Sequence, residues 1–232
     1  MAEQRWALVV GASRGLGLGL AAELLTNGWN VVATVRDHAG AARLNALPGV
    51  DGQPRVEQLD INDDAAIAAL RRRLDGRIFD LVLINAGIAP PGRQSALAAT
   101  SETAAHVFLT NAVAPIRVAA AFLDRIRDGN GVIAFMSSGL GSVTNKADSY
   151  SDLYSASKAA LNSLTRSFAA SLGGRRLTVL SIAPGWVRTD MGGPGAPLGV
   201  EESVRGIVRV LEQRAGSLRH GFVDYRGNEV AW

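Results

Sequence analysis

The sequence contains no cysteine. Disulfides, thiolate metal ligands and a cysteine nucleophile are therefore excluded, and the usage suits the cytoplasm. Histidine is nearly as scarce. His38, His106 and His220 are far apart and show no metal-ligand spacing, so no metal site is expected. The formal charge is only +3, without a basic run of the kind that reads as a nucleic-acid tract. The apolar run in "MAEQRWALVVGASRG" is too short for a signal peptide. No apolar stretch suggests a membrane span, which needs about eighteen residues or more. Lysine is rare too: two lysines stand among twenty-four basic residues. One of the two, Lys158, follows Tyr154 by four positions in "YSASK".

With 232 residues, 47% of them apolar, the chain is long enough for one full core, and a single domain over 1–232 is expected. Short β-branched runs alternate with alanine- and leucine-rich segments. Strands are expected at 6–10, 30–35, 55–60, 79–87, 131–138, 177–185 and 220–225. Helices are expected from the glycine turn to about Asn27, and over 63–74, 101–127, 151–172 and 200–215. The strand cores are continuous apolar runs, as doubly covered strands require. The pattern predicts an α/β fold: a Rossmann-type, doubly wound parallel sheet of about seven strands with helices on both faces.

The first strand runs into "GASRGLGLG". A glycine-rich turn opening a helix lets backbone amides approach a pyrophosphate, and the helix N-terminus adds partial positive charge. The same stretch matches G-x-S-x-G, a nucleophile elbow, and a serine hydrolase could enlist Ser13, Asp190 and His220. Tyr154 and Lys158 share one helical face. Leu161, Phe168 and Leu172 continue that face, so it points into the core and desolvates the lysine. Tyrosine titrates at about 10, and working near neutral pH needs a shift worth roughly 4 kcal/mol. One positive charge at about 5 Å supplies roughly 3 kcal/mol at an effective dielectric near 20. Asn111 precedes Pro115 by four in "TNAVAP", so its carbonyl lacks the usual helical donor.

Taken in order, Gly11-x-x-x-Gly15-x-Gly17, "NAG" at 85–87, "SS" at 137–138, Tyr154-x-x-x-Lys158 and "PG" at 184–185 resemble the short-chain dehydrogenase/reductase family over essentially the whole chain. "PGWVRTDMGG" and the ending "VDYRGNEVAW" resemble its C-factor and sniffer-like carbonyl reductase subgroup. The series outweighs the elbow match, because a hydrolase has no use for a Tyr–Lys pair. Four positions depart from the family pattern: Val10, Ile84, Phe135 and Ala183. None of them removes a chemical group.

The resemblance implies a catalytic set of Asn111, Ser138, Tyr154 and Lys158. Tyr154 would be the general acid, Ser138 would hold the carbonyl oxygen and Asn111 would hold a relay water. It implies cofactor contacts from Gly11, Ser13, Arg14, Gly15, Leu16 and Gly17, from Arg36, Asp60 and Ile61, and from Asn85, Ala86 and Gly87. Tyr154, Lys158, Pro184, Gly185, Val187 and Thr189 complete that set. Arg14 and Arg36 suit a 2′-phosphate, which favours NADPH/NADP+ over NADH, although Asp37 stands at a spacing that could serve a ribose hydroxyl. Asp60 could equally cap the next helix. Substrate loops are expected at 88–95, 139–150 and 186–198, forming an open site for a small or medium carbonyl or alcohol. Ala156, Ala159, Ala160, Ser163 and Ser167 form a small-residue face on the catalytic helix, and the family precedent is a homodimer or homotetramer. A signalling or nucleotide-sensing protein with little turnover is the alternative use of the same fold.

Overall fold

The computed structural model describes residues 4–47, 53–93 and 95–232; Gln94, within the expected loop 88–95, lies outside them. Seven parallel strands form one sheet in the order β3-β2-β1-β4-β5-β6-β7. They are β1 (Trp6–Val10), β2 (Asn30–Val35), β3 (Arg55–Gln58), β4 (Leu81–Ile84), β5 (Val132–Met136), β6 (Thr178–Ala183) and β7 (His220–Asp224). The helices are α1 (Gly15–Thr26), α2 (His38–Asn45), α3 (Asp64–Arg73), α4 (Ser101–Phe108), α5 (Ala114–Phe122), α6 (Asp152–Ala170) and α7 (Val200–Arg214).

Alternate strand residues feed two separate cores. Ala7 and Val9 face the layer built with α1 and α7, while Leu8 and Val10 face the layer built with α3, α5 and α6. Burial on both faces is why β1, β4 and β5 carry unbroken apolar runs; β6 is equally buried but includes Thr178 and Ser181. The edge strand β3, Arg-Val-Glu-Gln, is only partly buried. The order reverses direction at β1, which places a crevice beyond the C-terminal ends of β1 and β4.

The structure adds what the sequence pattern left out. Helix α2 was not expected; its eight residues form because Asp37 caps them by accepting the Gly40 amide. The expected 101–127 helix is α4 and α5 joined by a π-helical turn, Leu109–Val113, and it ends in a 3-10 turn at Arg125. Proline at 115 cannot donate to Asn111, and the wider i→i+5 register absorbs the missing bond. The run Ser101–Arg125 is long and apolar enough to cross a membrane by length and composition, against the sequence expectation. Half of its most apolar window is buried inside the fold, and it packs on α3 and α6 as a core helix.

Candidate active site

The glycine turn follows β1 at the crevice. A Cβ on Gly17 would lie 2.0 Å from the Gly11 carbonyl oxygen and 2.6 Å from the Asn85 amide nitrogen, so only glycine fits. Gly11 has φ +85°, and a Cβ there would strike the Ala86 backbone. Asn85 locks the turn by donating to the Gly11 carbonyl at 2.7 Å. Helix α1 begins after Arg14 with neither a side-chain cap nor an acidic residue in its first turn. Its leading amides therefore have no acceptor from such a cap and suit an anion.

Some side chains around this turn are committed and others are not. Asp37 is spent capping α2, whereas Arg36 is exposed and its guanidinium makes no hydrogen bond or ion pair among the described residues. Arg14 donates to Asp190 at 2.6 Å. Arg43, which the sequence reading missed, donates from α2 to the Ser13 carbonyl at 2.7 Å. Asp60 does not cap α3, since Asp63 accepts the Ala65 and Ala66 amides instead. The Asp60 carboxylate accepts the Asn62 amide, beside the buried Ile61.

The second half of the site lies along α6. Lys158 is 3% exposed. Its ammonium donates to the Met136 carbonyl at 2.8 Å and sits 5.8 Å from the centre of the Tyr154 ring. Burial lowers its pKa to about 8. Tyr154 differs from expectation. Burial pushes its phenol up to about 12, and a hydrogen bond to Ser138 offsets only part of the rise. Desolvation of the phenolate outweighs any help from a lysine that is itself desolvated.

The serine pair is sorted by geometry. Ser137 is buried and donates to Asn162 Oδ1 at 2.7 Å. Ser138 lies beside Tyr154 and accepts the Leu140 amide at 3.2 Å. Asn111 is fully buried in the π turn. Its side chain accepts from the Ile88 amide and donates to the Ile88 carbonyl, both at 2.8 Å. It also donates to Ser157 at 3.0 Å, and Ser157 donates to the Tyr154 carbonyl at 2.7 Å. Ser157 was missed because a serine one residue before the lysine has no distinctive spacing.

The "PG" turn is fixed by Ser203, which donates to the Pro184 carbonyl at 2.7 Å. Gly185 follows in the left-handed region at φ +84°. The segment 186–198 folds back on itself: Val187 is buried, the Arg188 amide donates to the Leu198 carbonyl, the Leu198 amide donates to the Trp186 carbonyl, and Thr189 accepts the Gly192 amide. Asp152, also missed, accepts the Ala96 amide at 3.0 Å and so ties the 88–95 side of the crevice to the start of α6.

The serine-hydrolase grouping is not assembled. Ser13 follows β1 at the C-terminal edge of the sheet, whereas His220 opens β7 at the opposite edge and stacks on Trp232. Asp190 is held by Arg14.

Comparison with known proteins agrees with this layout. A family profile described as short chain dehydrogenase matches residues 5–196. C-signal of Myxococcus xanthus is 40% identical over 129 residues, covering 55% of this chain and 78% of that protein. A carbonyl reductase from Pseudomonas aeruginosa PAO1 in complex with NADP is 42% identical, with a TM-score of 0.90 and coverage of 99% and 100%. The carbonyl reductase Sniffer of D. melanogaster is 32% identical, with a TM-score of 0.83 over the same shares. With a family profile matched over most of its length and a close overall fold match to these reductases, the chain belongs to the short-chain dehydrogenase/reductase family of oxidoreductases.

Proposed function

We propose that this chain is an NADPH-dependent carbonyl reductase acting on small or medium carbonyl compounds. The observation that carries the reading is Tyr154 beside Ser138, with the buried Lys158 ammonium 5.8 Å from the centre of its ring. The residues present fit a dinucleotide. The first turn of α1 has no cap of its own. The Lys158 ammonium has three N–H donors, and one goes to Met136, leaving two for neighbouring ribose hydroxyls. Arg36 stands exposed beside the ribose end while Asp37 is occupied elsewhere, which favours a 2′-phosphate over a bare 2′-hydroxyl. The relatives solved with NADP point the same way.

When bound, the reduced nicotinamide supplies hydride to the carbonyl carbon. Ser138 donates its hydroxyl proton to the carbonyl oxygen as a hydrogen bond and so fixes the oxygen beside Tyr154. Tyr154 then gives its phenolic proton to the developing alkoxide. Lys158, charged below about pH 8, stabilises the resulting phenolate and draws the next proton toward it. Asn111 holds Ile88 and Ser157 in place, which keeps that edge of the site rigid; a relay water held by Asn111 belongs to the same reading. A homodimer or homotetramer belongs to the same reading, with the exposed Ala156, Ser163 and Ser167 on the outer side of α6.

The test is NADPH oxidation against a panel of aldehydes and diketones. Turnover is expected, and Tyr154→Phe is expected to lower kcat by about 10²- to 10⁴-fold while NADPH still binds. Absence of turnover on every carbonyl, with Tyr154→Phe indistinguishable from the parent, would sink the reading. NADPH binding without turnover would favour the signalling use suggested by the name of the C-signal relative.

A further inference from the structure

We infer that Asp190 is a specificity-determining residue: it occupies Arg14 as a stand-in for the cofactor 2′-phosphate, and the phosphate displaces it. The inference rests on the NADPH reading.

Arg14 stands at the entry to α1, and its Nη1 meets Asp190 Oδ2 at 2.6 Å. This contact joins the glycine turn to the loop after β6. The two segments also touch at Gly15 and Thr189, where a Cβ on Gly15 would lie 3.3 Å from the threonine methyl. The surroundings are cationic. Arg43 holds the Ser13 carbonyl at 2.7 Å, and Arg36 follows β2, whose Thr34 carbonyl accepts the Ala12 amide. Among the described residues, Asp190 is the carboxylate that answers this group, because Asp37 is turned to the α2 amide.

The pair is poised to exchange. Its side chains are 64% and 72% exposed, and such a surface pair is weak. A phosphate monoester brings up to two charges and three acceptor oxygens, which suit several guanidinium groups at once. The carboxylate therefore competes with the phosphate for Arg14. It does not compete with a 2′-hydroxyl, which carries no charge. Removing the carboxylate should tighten NADPH and leave NADH alone. Displacing it should also release the Thr189–Gly193 stretch from the turn.

The test is Asp190→Asn, titrated with NADPH and with NADH, alongside Arg14→Gln and the double variant. Asp190→Asn is expected to tighten NADPH about two- to fivefold, the range of a surface ion pair, with NADH unchanged. Arg14→Gln is expected to weaken NADPH about tenfold or more, and Asp190→Asn is expected to add nothing on that background. As a second readout, 2′,5′-ADP should speed amide exchange at 189–193 in the parent relative to 5′-ADP, and this difference should vanish in Asp190→Asn. If Asp190→Asn alters both cofactors equally or neither, while Arg14→Gln still weakens NADPH, the displacement idea is wrong and the NADPH reading stands. If Arg14→Gln alters neither and the chain prefers NADH, both are wrong.

Discussion

The Lys158 ammonium donates to the carbonyl of Met136, the last residue of β5, at 2.8 Å. That bond ties the catalytic helix to the strand that delivers Ser137 and Ser138. It also explains how a chain that relies on arginine can bury a lysine: a compact ammonium can take one main-chain acceptor and keep two donors for other partners. Gly141 crosses close behind it, where a Cβ would lie 3.0 Å from the Lys158 backbone.

Burial of that charge makes stability depend on pH. The Lys158 pKa falls from 10.5 to about 8 on folding. Below about pH 8 both states are protonated and the full burial cost is present. Between there and 10.5 the unfolded chain holds a proton that the folded chain has lost, so stability rises with pH. The total is on the order of 3 kcal/mol. Tyr154, raised from 10.0 to about 12, acts oppositely: its contribution is complete below 10 and is lost toward 12. Urea denaturation should therefore show stability climbing from about pH 8 to a maximum near 10. Lys158→Met should remove most of the climb. An equal climb in that variant would assign it to other groups.

Arg36 and Asp37 are neighbours with separate work. Arg36→Ala should weaken NADPH about tenfold and leave NADH nearly unchanged, since a hydrogen bond to a charged group is lost only with the phosphate. Asp37→Ala should cost about 1 kcal/mol of stability through the α2 cap. It should leave the ratio of NADPH to NADH affinity where it was. Paired titrations and thermal melts separate the two effects. A swing toward NADPH in Asp37→Ala would mean that the carboxylate reaches the ribose after all.

Asp152 accepts the Ala96 amide at 3.0 Å, two residues before Tyr154. Ser151 precedes it in the left-handed region at φ +51°, a conformation that a non-glycine residue holds only when its surroundings impose it. Asp152→Ala should loosen the 88–95 side of the crevice. The expected result is a KM raised several-fold with kcat changed much less, because the Tyr154–Lys158 pair keeps its own supports. Equal losses in kcat and kcat/KM would place Asp152 nearer the chemistry than its contacts suggest.

The strands, the glycine turn and the spacing of Tyr154 and Lys158 were legible in the sequence because they rest on local rules. Continuous apolar runs mark strands covered on both faces, and residues four apart on a helix share a face. The family resemblance already favoured Ser138 over Ser137, but a physical reason for it needed the fold, since Asn162 reaches back from α6 to occupy the Ser137 hydroxyl. Helix α2 escaped because it is short and carries only two buried residues, Gly40 and Leu44, with its cap as the main signal. The π turn was half legible: Pro115 announced a missing bond at Asn111, but the geometry that absorbs it depends on packing against α6.

The sequence by itself determined the layered α/β fold and the choice of candidate reacting groups, because pattern and side-chain chemistry are carried residue by residue. Tertiary structure alone decided their electrostatic state. Burial set Tyr154 at about 12 and Lys158 at about 8, the reverse of the simple expectation that a nearby cation lowers the phenol. It also decided which arginine is committed, because Arg14 and Asp190 lie 176 positions apart and meet only where the loop after β6 folds over the glycine turn. Desolvation and long-range pairing are properties of the packed chain, and no local window of sequence contains them.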